Sequence, residues 1–351
     1  MHRSGTSALA GALDQLGIQF ESADNRLDSQ LDNPKGFFER RSVVMFSESL
    51  LQTNEWSWDS VSLNTFDVER ATQFVNPGRL LISDLSNNGP TGLKDPRSCL
   101  LMPFWRRTLL DRFEAIVITR DPAEVAWSLH VRDGLPVTVG LSLWIAYNMH
   151  LANGIQGMNP HILRYEDLMD SPATELASIA QFLLERGVSV SHQQSDFETA
   201  AKSIDPTLRR ATFPDWVNDH PLTVEARAIR ELFHQTPTTD ISLTPSELCR
   251  EVLDTQFTVK KLDRANHKLN SARILIEQER LKNINTIRTI EARINELTDD
   301  ASALQHELVL SNSALEQTQK QLEQTVNSFS LKLGLLITWP VRKLRPSNRT
   351  R

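Results

Sequence analysis

Residues 2–7 read His2-Arg3-Ser4-Gly5-Thr6-Ser7 and run straight into Ala8-Leu9-Ala10-Gly11-Ala12-Leu13, a helix-forming segment. Small residues at a helix start let backbone N–H groups approach an anion, and the helix dipole and hydroxyls add to the attraction. Arg3 adds a permanent charge. The Gly-Lys-Ser/Thr ending of the nucleoside-triphosphatase loop is absent, and Ser-Gly-Thr-Ser also serves as an ordinary helix cap. A second element, Ile116-Val117-Ile118-Thr119-Arg120-Asp121-Pro122, reads as a strand that ends at Arg120 and a helix that opens at Pro122. Ser128 follows Arg120 by about two helical turns, so both reach one cleft. A planar charged fork beside a neutral donor suits an isolated ribose phosphate. A third element, Leu163-Arg164-Tyr165-Glu166-Asp167-Leu168, again runs a strand into charge.

In this order and spacing, HRSGTS, ITRDPAEVAWSLH and LRYEDL resemble the signature elements of the sulfotransferase superfamily that uses 3′-phosphoadenosine 5′-phosphosulfate (PAPS). The bacterial members carrying NPKGFFE and LKDPR are the most similar, and the resemblance covers roughly residues 1–200. It implies a P-loop-like α/β fold, PAPS as sulfuryl donor and no metal. It also implies that Arg3, Ser4, Gly5, Thr6 and Ser7 hold the 5′-phosphosulfate, with Arg3 in the position of the family's catalytic lysine or arginine. Arg120 and Ser128 then hold the 3′-phosphate, and Tyr165 joins the nucleotide site. Lys94 is similar to a lysine that stabilises the transferring group in some members.

Sulfuryl transfer spreads negative charge over equatorial and bridging oxygens, so cations must be aimed there, and an acceptor hydroxyl needs a base. The favoured base is Glu39, because Phe37 and Phe38 would give it an apolar setting that raises a carboxylate pKa; Asp95 is second. Cytosolic members use a histidine in the segment corresponding to residues 94–97, and this chain has none there. Members also carry a hydrophobic strand before the loop, whereas here Met1 directly precedes it, so either the translation start lies upstream or the chain as given is crippled by a missing strand, and the first is the favoured expectation.

These groups need elements to position them. Residues 79–82, 115–119 and 161–164 are predicted strands, and residues 7–16, 122–131, 138–152 and 172–184 predicted helices, the last announced by Asp170-Ser171-Pro172. Alternating strands and helices predict a parallel α/β domain over residues 1–245, with ligands beyond the carboxyl ends of the strands. Residues 33–36 and 86–92 read as loops. Trp56 and Trp58 can stack an acceptor sugar, Trp144 has core spacing, and His130, His150 and His161 read as structural.

Over residues 255–330 one heptad frame runs from Val259 to Phe329, through Leu262, Leu297, Leu304, Leu308, Leu315 and Leu322, with polar Asn283, Ser311 and Thr318 at other seam positions. It predicts a coiled coil that self-associates or folds back. Residues 331–351 join a short apolar run to Arg342, Lys343, Arg345, Arg349 and Arg351, a pattern suited to an anionic membrane surface or to a frayed basic end.

The 351-residue chain carries a formal net charge of −6, which excludes a general nucleic-acid binder, and its two cysteines, Cys99 and Cys249, support neither a disulfide framework nor a zinc site. A reducing cytoplasm is the expected compartment, with the tail open to the inner membrane surface. The leading expectation is transfer of a sulfuryl group from PAPS to a hydroxyl or amine, by analogy of a carbohydrate or glycolipid. A coiled-coil assembly protein with a degenerate nucleotide site and a P-loop kinase are the alternatives.

Overall fold

A computed structural model describes residues 1–20, 38–85, 89–205, 212–235, 241, 243–280 and 287–343. The chain divides into two compact units, Met1–Leu253 and Asp254–Arg351. Helix α1 (Thr6–Gln15) opens the first unit, followed by α2 (Arg41–Thr53), a 3-10 turn (Glu69–Phe74), α3 (Val75–Leu85) and α4 (Ser98–Leu109). Then come β1 (Ile116–Thr119), α5 (Pro122–Asp133), α6 (Val137–Gly154), β2 (His161–Arg164), α7 (Tyr165–Asp170), α8 (Pro172–Leu184), α9 (Gln194–Ala201), α10 (Asp215–Asn218) and α11 (Pro221–Gln235).

β1 and β2 pair in parallel, with Ile116 opposite His161 and Thr119 opposite Arg164. Parallel neighbours need a long crossover, and α5 and α6 supply it. Asp121 starts α5 by accepting from Ala123 N at 2.9 Å and Glu124 N at 3.3 Å, Pro122 fits the first helical position, and Gly134 ends the helix at φ +69°. α6 is buried on all sides, with Leu141, Leu143, Trp144 and Tyr147 inaccessible, so it is a central helix rather than a surface one. A core formed by α1, α7, α8 and α9 closes over Ile118 and Leu163.

The parallel strands with crossover helices agree with the α/β reading at a coarse level, but helices dominate and the described residues hold a two-stranded sheet. Residues 79–82, predicted as a strand, lie inside α3. Val75, Gly78, Leu81 and Ile82 are its less exposed positions, recurring at three- and four-residue steps, while Leu80 points to solvent. The helical period therefore overrides the short apolar run. Ser171 occupies the cap position of α8 but makes no side-chain cap bond, so Pro172 alone marks that start. The loop at 33–36 lies outside the described residues, as do residues 86–88 of the second loop; Gly89 stands at φ +131°.

In the second unit the heptad region divides between α12, which begins at Glu247, and α13 (Ile287–Lys343). Along α13, Ile294, Leu297, Ala301, Leu304, Leu308, Ser311, Leu315, Thr318 and Leu322 are sheltered while their neighbours are exposed, which gives one stripe along the helix. Asn283 lies outside the described residues, as do Arg345, Arg349 and Arg351. No helix among the described residues is long and apolar enough to cross a membrane.

Candidate functional site

The loop before α1 is built on two left-handed residues, Arg3 at φ +65° and Gly5 at φ +88°. Glycine adopts this conformation freely, whereas arginine there is uncommon and must be held by its surroundings. Arg3 is held at both ends. Its Nε donates to Ser128 Oγ at 2.8 Å, and its carbonyl accepts from Arg120 at 3.0 Å. The Tyr165 ring lies against Gly5 so closely that a Cβ there would sit 2.3 Å from Cδ2. The Arg120 guanidinium stacks 4.4 Å over the centre of the same ring. Three sequence elements thus converge on one loop, and no acid stands in the first turn of α1 to compete for its positive end.

Arg120 is also paired with Glu124, Nε to Oε2 at 2.7 Å, both side chains being nearly inaccessible. Ser4 is buried, and Thr6 and Ser7 begin α1. Lys94 reaches the loop from another direction, donating to Ser7 Oγ at 3.1 Å and to Glu39 Oε1. It arrives there because Gln19, just after α1, exchanges backbone hydrogen bonds with Pro90 and Gly92 at 2.9 Å each. Burial pushes the Lys94 ammonium below its usual range, and the Glu39 carboxylate opposes that shift.

Neither carboxylate is arranged as the sequence suggested. Glu39 is buried, but it faces the Lys94 ammonium instead of a purely apolar wall, and it serves to hold that lysine against Ser7. Phe37 lies outside the described residues, and Phe38 packs against Gly11. Asp95 Oδ1 accepts from both the backbone N–H and the guanidinium of Arg97 at 3.0 Å each, organising the turn that enters α4. Arg97 reaches Glu48 as well, at 3.0 Å.

Helix α11 adds groups that sequence reading missed. Arg227 grips Asp121 at 2.8 and 3.2 Å, Arg230 reaches the Thr119 carbonyl at 3.3 Å and pairs with Glu166, and His234 Nε2 shares a 2.8 Å hydrogen bond with Thr119 Oγ1. Burial, then Arg164 and Arg230, brings His234 down to about 4. The signal was available: Arg227, Arg230, Glu231 and His234 recur at one-face spacing.

His2 was read only as part of the motif. Its ring meets Trp58 edge-on at 5.0 Å and Tyr147 at 6.3 Å, and its buried Nε2 has no partner among the described residues. Burial, followed by Arg97, the terminal ammonium, Arg132 and Lys94, holds the imidazole well below its usual range, so it is neutral. Trp56 does not share the surface with Trp58: it is buried with Phe66 and His150 in the core. His150 bonds the Ser62 carbonyl at 2.8 Å and His130 the Leu135 carbonyl at 2.9 Å, both within the structural framework.

Among the described residues no group of His, Cys, Asp and Glu is arranged to hold a metal ion. Compared with family models, with curated proteins and with solved structures, the chain finds no match. Fold and site together define a helical protein with a small parallel sheet and a cation-rich loop at a helix N-terminus. Arg3, Lys94 and Arg120 converge on that loop from separate parts of the chain.

Proposed function

We propose that the chain is a sulfotransferase that moves a sulfuryl group from PAPS to a hydroxyl or amine of a carbohydrate or glycolipid acceptor. The observation that carries this reading is the meeting of elements 125 and 117 residues apart, Arg3 with Ser128 and Arg120 with the Arg3 carbonyl. Nothing in an ordinary helix cap requires those contacts. A donor whose phosphates lie at both ends of a ribose requires two cationic subsites side by side.

In this reading the Arg3–Ser7 backbone and the Arg3 side chain take the 5′ end, and Arg3 receives the charge that develops on the departing phosphate. Lys94, kept at Ser7 by Glu39, faces the transferring group. Arg120 and Ser128 take the 3′-phosphate, and Tyr165 supports both by packing on Gly5 and under Arg120. In this reading residues from loop, helix and strand end supply the cations and hydrogen-bond donors that face the transferred charge.

One observation favours a second reading. Arg120 is already engaged by Glu124, by the Arg3 carbonyl and by the Tyr165 ring, which suits a nucleotide-holding assembly protein without turnover. Calorimetric titration with 3′-phosphoadenosine 5′-phosphate (PAP) against ATP separates these readings. Preference for PAP by at least about tenfold, weakened about tenfold in Ser128→Ala, supports a 3′-phosphate site, since a hydrogen bond to a charged group contributes about 1.5–3 kcal/mol. Equal affinity for ATP would sink it. PAP binding without cleavage of PAPS would select the assembly protein.

A further inference from the structure

With Glu39 and Asp95 committed to cations, the proton of an acceptor hydroxyl has no evident receiver. Glu39 Oε1 is taken by Lys94, and the Asp95 side chain, with zero exposure, anchors Arg97, so protonating it would break a buried ion pair. His2 differs in being held by no ion pair among the described residues. It directly precedes Arg3 in the loop, its ring as a whole is half-buried, and its buried Nε2, like Asp95 Oδ2, is unpartnered among the described residues. Tyr147 does not satisfy it, because the phenol donates to the Trp58 carbonyl at 2.7 Å. Trp58, half-buried beside His2 and carrying Arg132 at 5.8 Å from its ring centre, offers the flat apolar surface that a sugar ring stacks on.

We propose that His2 is the catalytic base of this site and takes the proton of a carbohydrate hydroxyl seated along Trp58. The proposal rests on the sulfotransferase reading. In the step it describes, a bond forms between the acceptor oxygen and sulfur while the bond from sulfur to the 5′-phosphate oxygen breaks. The hydroxyl proton goes to His2, the leaving electron pair goes to the phosphate beside Arg3, and His2 returns the proton to solvent when the products leave.

The groups facing His2 make this workable. Arg97 and Lys94 approach from the segment before α4, Arg132 from α5, and Tyr147 from α6. These three cations have acidic partners, Asp95 and Glu48 on Arg97, Glu39 on Lys94 and Asp133 on Arg132. Burial first, and this positive field after it, keep the imidazole neutral and ready to accept. An anion loaded on the neighbouring loop offsets that field and raises the basicity of His2 when a base is needed.

The test combines binding, spectroscopy and turnover on the full chain. In imidazole ¹⁵N NMR of the unaltered protein, the His2 titration midpoint is expected to rise when PAP is added; an unmoved midpoint overturns the proposal. His2→Gln and His2→Asn are expected to bind PAP within about threefold of the parent while PAPS cleavage, with water as acceptor, falls about 100-fold and loses its acid limb. Glu39→Gln is expected to keep that limb. Variants at His2 that keep cleavage within about threefold with the same limb overturn the assignment of the base and leave the sulfotransferase reading standing. An unaltered protein that binds PAP without cleaving PAPS has no catalytic base to assign, and one that does not bind PAP overturns both readings.

Discussion

Arg120 makes three kinds of contact at once: a hydrogen bond to the Arg3 carbonyl, an ion pair with Glu124 and a stack on Tyr165. Removing it would leave the buried Glu124 carboxylate without its guanidinium partner. Arg120→Ala is therefore expected to cost about 3 kcal/mol in urea denaturation, and adding Glu124→Ala to restore at least about 1 kcal/mol of that. A double variant no more stable than the single one would show that the pair is not the source. Because Arg120→Ala perturbs folding as well as charge, Ser128→Ala is the cleaner probe of the anion site. At this scale residue type and spacing singled out Arg3, Arg120 and Ser128, which meet in the folded chain. The partners of Glu39 and Asp95 were not legible, because Lys94 comes from a distant segment and Arg97 competes for the nearest carboxylate.

Helix α11 illustrates how an element far along the chain steadies the strand ends. Arg227 and Arg230 bind Asp121, Thr119 and Glu166, while His220 and His234 stand at its two ends. His220 Nδ1 accepts from Leu222 N at 3.2 Å, its Nε2 is buried without a partner among the described residues, and burial brings it down to about 4. Both imidazoles are neutral in the folded chain and titrate near 6.5 when exposed. Protonation thus favours the unfolded chain. Their contribution is fully present above pH 6.5 and is lost as the pH falls toward about 4. Thermal unfolding across that window is expected to show a falling Tm, and His220→Asn with His234→Gln, which keep a hydrogen-bonding atom at each place, to flatten the fall. An equally steep fall in the double variant would assign acid sensitivity elsewhere.

For the molecule as a whole, all residues of the proposed site lie in the first unit, Met1–Leu253. A chain shortened to residues 1–270 is expected to bind PAP within about threefold of the full chain by calorimetry, whereas a loss beyond about tenfold would tie the site to the second unit. The formal charge of −6 describes the whole chain and conceals a local gathering of Arg3, Arg120, Arg132 and the segment that carries Lys94 and Arg97. By itself the sequence determined what local rules control. Both parallel strands, the Pro-led starts of α5 and α8 and the sheltered stripe along α13 all follow from periodicity and capping within a few residues. Only the tertiary structure decided which charges meet. Packing made Glu39 a partner of Lys94 and set His2 against Trp58, because ion pairing and burial depend on neighbours that chain order does not specify.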